Sequence, residues 1–100
     1  MRKIIMYWRD IPSMVTIKKG REKGKAMLPD RFQEAIDRAA MRAGKGSSDL
    51  YIEEWRSVTE EIEYNGDLTE LAVAEAHKLD VAISADDLKE LVRNNGAHTS

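Results

Sequence analysis

The stretch Pro29–Gly44, PDRFQEAIDRAAMRAG, has the pattern of one structure only, an amphipathic helix. Phe32, Ala35, Ile36, Ala39, Ala40 and Ala43 recur at helical spacing and share one face. Glu34 and Arg38 stand four apart on the other face, acid before base, as a stabilising pair would. Pro29 suits the first helical turn, and Gly44 suits the left-handed position just past the end. Small alanines on the buried stripe let such a helix lie close to whatever it covers. The expected cover is a sheet built from the flanking segments.

Lys3–Arg9 reads as a strand, with Ile4, Ile5, Met6, Tyr7 and Trp8 apolar without alternation, as for burial on both faces. Ile11-Pro12-Ser13 is expected to break it, because proline lacks the N–H a ladder needs. Met14–Lys19 alternates as a second strand, with Val15 and Ile17 on one side. Gly20–Gly24 reads as a loop and Lys25–Leu28 as a short third strand, hairpinned to the second.

After a connector at Lys45-Gly46-Ser47, Ser47 or Ser48 can cap a short apolar helix containing Leu50, Tyr51, Ile52 and Trp55. Arg56–Tyr64 alternates again, and Glu60 on its apolar face marks it as an edge or half-covered strand. Asn65-Gly66 turns the chain, and Asp67 with Glu70 resembles a capping box. A helix over about Leu68–Leu79 buries Leu68, Leu71, Ala72, Ala76 and Leu79. Ser84 caps a last helix with a Leu88, Leu91, Val92 stripe, Gly96 stops it, and Ala97–Ser100 is expected to fray. The fold class is therefore α+β: a small mixed or antiparallel sheet of about four strands covered by helices, in the order β-β-β-α-α-β-α-α. One hundred residues suit a single domain, with sheet and two helices over 1–64 and a helical pair over 65–96. That pair either covers the sheet or stands apart as a helical hairpin.

Charge is divided along the chain. Residues 1–46 carry twelve Lys/Arg against five Asp/Glu, a net +7, and residues 47–100 carry four against thirteen, a net −9. This leaves two readings: a basic face for an anionic partner, or two halves whose fields cancel on packing. The segment KKGREKGK supplies Lys18, Lys19, Arg21, Lys23 and Lys25 with one acid, Glu22. It is no phosphate-binding P-loop, since its glycines are one residue too close, Ala26 replaces the hydroxyl and a strand follows. Its plainer role is a solvated hairpin tip; its functional role is contact with an acidic protein, nucleic acid or phosphorylated ligand. Tyr7 and Trp8 point to opposite faces of their strand, so at most one ring lies outward. Trp8, Arg9 and Asp10 join the basic residues as candidate binding residues, with core packing of Trp8 the competing reading.

The chain has no cysteine, which excludes a thiol nucleophile, a zinc-thiolate site and a disulfide framework. His77 and His98 lack ligand partners of the usual kind at helical spacing, apart from Asp80 or Glu75, too near His77 for a designed site, and the run of Glu53, Glu54, Glu60, Glu61 and Glu63 does not converge. No catalytic residue, metal site or cofactor is expected. The N-terminal apolar run, about six residues, is too short for a signal peptide or a membrane span, so a cytoplasmic protein is expected.

Three segments together resemble a known family: Tyr7-Trp8-Arg9-Asp10-Ile11-Pro12, then Leu28–Met41 (LPDRFQEAIDRAAM), then Asp49 with Tyr51-Ile52-Glu53-Glu54-Trp55. They resemble a small bacterial family described as "virulence factor", also found as a domain of conserved virulence factor C-like proteins, over about residues 3–58. The resemblance brings no catalytic residues. It implies a non-catalytic accessory or protein-interaction domain. Its members' setting beside corrinoid- and tetrahydrofolate-dependent methyl-transfer proteins implies an alternative, an accessory of that chemistry. The basic half alone supports a third reading, nucleic-acid binding. The partner expected first is a protein; self-association is expected as well, because basic and acidic patches on one chain can pair between copies.

Overall fold

The computed structural model describes residues 1–44 and 48–97. Its elements run β1 (Arg2–Trp8), β2 (Ile11–Lys19), β3 (Glu22–Met27), α1 (Asp30–Arg42), α2 (Ser48–Glu53), β4 (Trp55–Glu61), α3 (Leu68–Ala82) and α4 (Ala85–Arg93). The expected order is observed. The four strands form one sheet in the order β3-β2-β1-β4, and every neighbouring pair is antiparallel. The architecture is α+β.

Pro12 does not break the chain as expected; it lies inside β2, fully buried. A β-bulge makes room for it. Met6 pairs with Met14 and Tyr7 with Pro12, so Ser13 is an extra residue in β2. The freed Ser13 carbonyl accepts the N–H of Leu28 at 3.0 Å, which fixes where the chain leaves β3 for α1. The β1–β2 connection is then the two-residue turn Arg9-Asp10. The expected loop Gly20–Gly24 is also shorter, a two-residue turn at Gly20-Arg21, because β3 begins at Glu22. Gly20 has φ +61, the glycine-first pattern of tight hairpins.

Cross-strand partners share a face of the sheet. Lys3, Ile5, Val15, Ile17, Gly24 and Ala26 therefore lie on one face, joined by Val58 and Glu60 from β4. This face carries α3. Gly24 meets the α3 backbone so closely that a Cβ there would lie 2.4 Å from Leu68 C and Thr69 N. Ala72 and Ala76, both buried, keep the rest of α3 near the sheet. Lys3 ties the layer together through Glu75 of α3 at 3.5 Å and Glu60 of β4 at 3.1 Å. Burial works against its charge, yet the two carboxylates outweigh it and raise its pKa.

The expected role of α1 is met in part. Its buried face is as predicted, with Phe32, Ala35, Ile36, Ala39 and Ala40 inside, and Gly44 has φ +73 just past its end. It packs on β2 and, more extensively, on α4, whereas α3 has the larger share of the sheet, across β3 and β2. The glycine in β3 explains this, because it permits a backbone-to-backbone approach that only α3 uses. The last two helices part company: α3 lies on the sheet, and α4 packs against α1 with Leu88 and Leu91 buried. Arg31 links the two groups by donating to the Asp80 carboxylate at 2.7 Å and to the Ile83 carbonyl at 2.7 Å.

Capping follows the sequence closely. Asp67 accepts the Glu70 N–H at 2.9 Å, and Ser84 with Asp87 makes a reciprocal capping box. Glu34 and Arg38 form no ion pair among the described residues. The expected cap at Ser47 or Ser48, the connector at 45–47 and the tail at 98–100 lie outside the described residues or their side chains.

Candidate interaction surface

The second sheet face is built from the alternate residues. Three cross-strand rows cross it: Lys23–Lys18–Arg2–Glu61, Lys25–Thr16–Ile4–Thr59, and Met27–Met14–Met6–Ser57. The expectation that β1 is buried on both faces fails here. Ile4, Met6 and Met14 are only half-buried, and Met27 is 63% exposed. The apolar run of β1 serves one packed face and one open face, which its lack of alternation concealed.

The open face is basic at one end. Lys18, Lys23 and Lys25 are exposed and join Arg2, also exposed, from the neighbouring strand. None of these four side chains makes a hydrogen bond or ion pair within the chain among the described residues. Of the other hairpin cations, Lys19 points to the α3 side by alternation and Arg21 sits in the turn; both are exposed. This end of the face carries four cations against one carboxylate, Glu61 at the far end of the first row, and is bordered by a row of methionines that can adapt to irregular surfaces.

The remaining predicted site residues gather elsewhere. Trp8 is fully buried, donates its indole N–H to the Tyr51 carbonyl at 3.0 Å and stacks on the Tyr51 ring at 6.0 Å between centroids. Gly96 presses on it, with φ +95 and space for no side chain: a Cβ would lie 2.7 Å from Trp8 Cζ3. Arg9 adopts φ 53 and is held from every side. Its N–H donates to the Glu54 carbonyl at 3.1 Å, its guanidinium meets the Glu54 carboxylate at 3.2 Å and the Asn95 carbonyl at 2.8 Å. Arg56 donates to the Arg9 carbonyl at 2.9 Å and to the Asp10 carboxylate at 3.0 Å, and it also covers the Tyr7 ring. These contacts join β1, α2, β4 and the segment after α4.

The structure therefore separates the predicted residues into two places. Lys18, Lys23 and Lys25 share the open face, whereas Trp8, Arg9 and Asp10 belong to the closed end. Sequence reasoning missed Arg2 and the row Met6, Met14, Met27. Period-two alternation within three strands carried the signal, but the Ser13 bulge and the register were needed to align them. Among the described residues, no group of three His, Asp or Glu side chains could hold a metal ion. No helix among them is long and apolar enough to cross a membrane.

A sheet carrying α3 on one face, with its other face exposed and basic at the hairpin end and closed over Thr16, Ile11 and Trp8, makes a small α+β domain. The chain matches the model of the family described as Virulence factor over residues 6–92, and it belongs to that family. The match reaches from β1 into α4, so both C-terminal helices are part of the family's pattern, beyond the segment in which the resemblance was visible. No curated protein and no solved structure matches the chain.

Proposed function

We propose that this protein is a non-catalytic interaction domain that docks an acidic protein surface on its open sheet face, with the β2–β3 hairpin as the charged end. The observation that carries this reading is the cluster Lys23, Lys18, Arg2 and Lys25 on one face, four cations against the single carboxylate of Glu61 at the far end of the row. Four cations elsewhere, Lys3, Arg9, Arg31 and Arg56, each meet a carboxylate. Excess positive charge beside half-buried methionine suits an acidic partner with an apolar centre.

Nucleic acid is the less favoured occupant. Single-stranded binders offer exposed rings for bases to stack on. Here Trp8 is buried, Tyr7 lies on the other face beneath Arg56, and the three basic and methionine rows hold no ring.

The test is capture from native lysate on immobilised protein, beside a Lys18→Glu/Lys23→Glu/Lys25→Glu variant of equal melting temperature. The expected result is a protein retained by the first, released by added salt and lost from the second, with nuclease making no difference. Identification of a methyl-transfer protein in that fraction would also support the accessory reading that the resemblance implies. Equal capture by both proteins would overturn the assignment of the surface, and a nuclease-sensitive signal would move the reading to nucleic acid.

A further inference from the structure

The sheet ends on one side at β4, and β4 has every property of a strand awaiting a neighbour. Its register with β1 runs unbroken from Trp55 to Glu61, with no bulge, glycine or proline. Its outer edge has no strand partner among the described residues, and β1 is its one substantial neighbour. Six of its seven residues are exposed, including Val58 at 43%. Natural edges are blunted by proline, bulges, shortness or cover; none of these protects β4, and charge alone remains.

That charge is arranged to match itself. When two copies of one strand pair antiparallel about a two-fold axis normal to the sheet, the axis passes midway between one residue and its copy. Side chains then stay on matching faces. Val58 is the midpoint of β4, so an axis there pairs the whole strand, Trp55 with Glu61 of the second copy through Glu61 with Trp55. In the same register Arg56 stands opposite Glu60 on both sides of the axis, Ser57 opposite Thr59, and Val58 opposite itself. An axis at Glu60 would oppose like carboxylates, one at Arg56 would oppose two arginines, and one at Ser57 or Thr59 would leave Arg56 and Glu60 unmatched. The register of greatest length is also the register of charge complementarity.

We propose that β4 pairs with β4 of a second copy of this chain, antiparallel and centred on Val58, to form a continuous eight-stranded sheet. The open faces of the two copies then lie on the same side. The two outer β3 strands stand about 33 Å apart at ordinary strand spacing, so the basic hairpins present a spaced pair of charged sites. Seven residues of pairing bury little surface, so the dimer is weak and its population depends on concentration.

The experiment uses the intact chain. Sedimentation from low micromolar to near millimolar concentration should show the mass rising from 11.4 kDa toward twice that value. Because the chain has no cysteine, Val58→Cys gives an unambiguous reporter: mild oxidation should link two copies through residue 58. Glu61→Cys is the control, since the two residues at 61 lie about 20 Å apart in this register and should not link. Arg56→Glu and Glu60→Arg should each abolish the concentration dependence, and the double variant should restore it. Melting curves of each variant separate lost pairing from lost folding. A monomer at every concentration, equal linking at 58 and 61, or a double variant that fails to restore association would overturn the proposal.

Discussion

The two β-hairpins of this protein have the same connection and opposite fates. Each turns in two residues, and each sets the first of them at positive φ: Arg9 at 53 and Gly20 at 61. At Gly20 the conformation is free of steric cost, and nothing lies within 4 Å of where a side chain would begin. At Arg9 a side chain is forced into that conformation and is held there by Glu54, Asn95 and Arg56. The first hairpin spends its charges on its own fold, and the second leaves them outward. A basic cluster in a sequence is therefore a poor guide to a binding surface until its internal partners have been counted.

The closed hairpin should be the easier of the two to break. Trp8→Ala removes the largest fully buried ring and should lower stability by about 4 kcal/mol, read from chemical denaturation. Gly24→Ala tests the stem of the open hairpin. Its Cβ would meet α3 backbone rather than a flexible side chain, so a loss of about 2–3 kcal/mol is expected, although one methyl is the whole change. A tolerated alanine at 24 would mean that α3 does not rest there.

The turns themselves give a finer contrast. Arg9→Ala keeps the unfavourable φ and removes the guanidinium bonds to Glu54 and Asn95, leaving the backbone ones, and should cost about 1–2 kcal/mol. Gly20→Ala meets no neighbour and should cost about 1 kcal/mol from conformation alone. At the tip, Lys18→Glu, Lys23→Glu and Lys25→Glu should each change stability by less than about 0.5 kcal/mol while abolishing partner binding. A large stability change there would show that the tip is tied into the fold after all.

Lys3 supplies the pH arm of the same comparison. Its folded pKa is raised, so its contribution is complete below the ordinary lysine range and is lost as pH climbs through the raised value. Stability should therefore lose this contribution only in strongly alkaline solution, and Lys3→Met should remove that alkaline component of the profile.

What the sequence disclosed and what it concealed follow from the range of each interaction. The α1 stripe, the Gly44 stop, the Ser84 cap and the Asp67 cap are local, set by residues within a turn of one another, and all were legible. The larger share that α3 takes of the sheet was not. It depends on Gly24 meeting Leu68 across 44 positions of sequence. The basic candidates at 18, 23 and 25 were visible as a cluster, but Arg2 was not, because only the pairing of β1 with β2 brings it into the row. Likewise Trp8 and Arg9 looked available because their partners, Tyr51, Glu54, Asn95 and Gly96, lie far along the chain.

The bulge at Ser13 gives β2 a property that substitution experiments would not reveal. Were Ser13 paired with Tyr7 in an unbroken register, Pro12 would stand opposite Trp8 and Ile11 opposite Arg9. With the bulge, Ile11 stands opposite Trp8 and both are buried. Ser13 works as a spur off the ladder: its pairing place is skipped, and its carbonyl receives the Leu28 N–H instead. Taking the residue out would close the ladder with Tyr7 still opposite Pro12 and Trp8 still opposite Ile11. What would go is the anchor from which the chain leaves β3 for α1, so the exit of the strand, and not its pairing, hangs on this one residue.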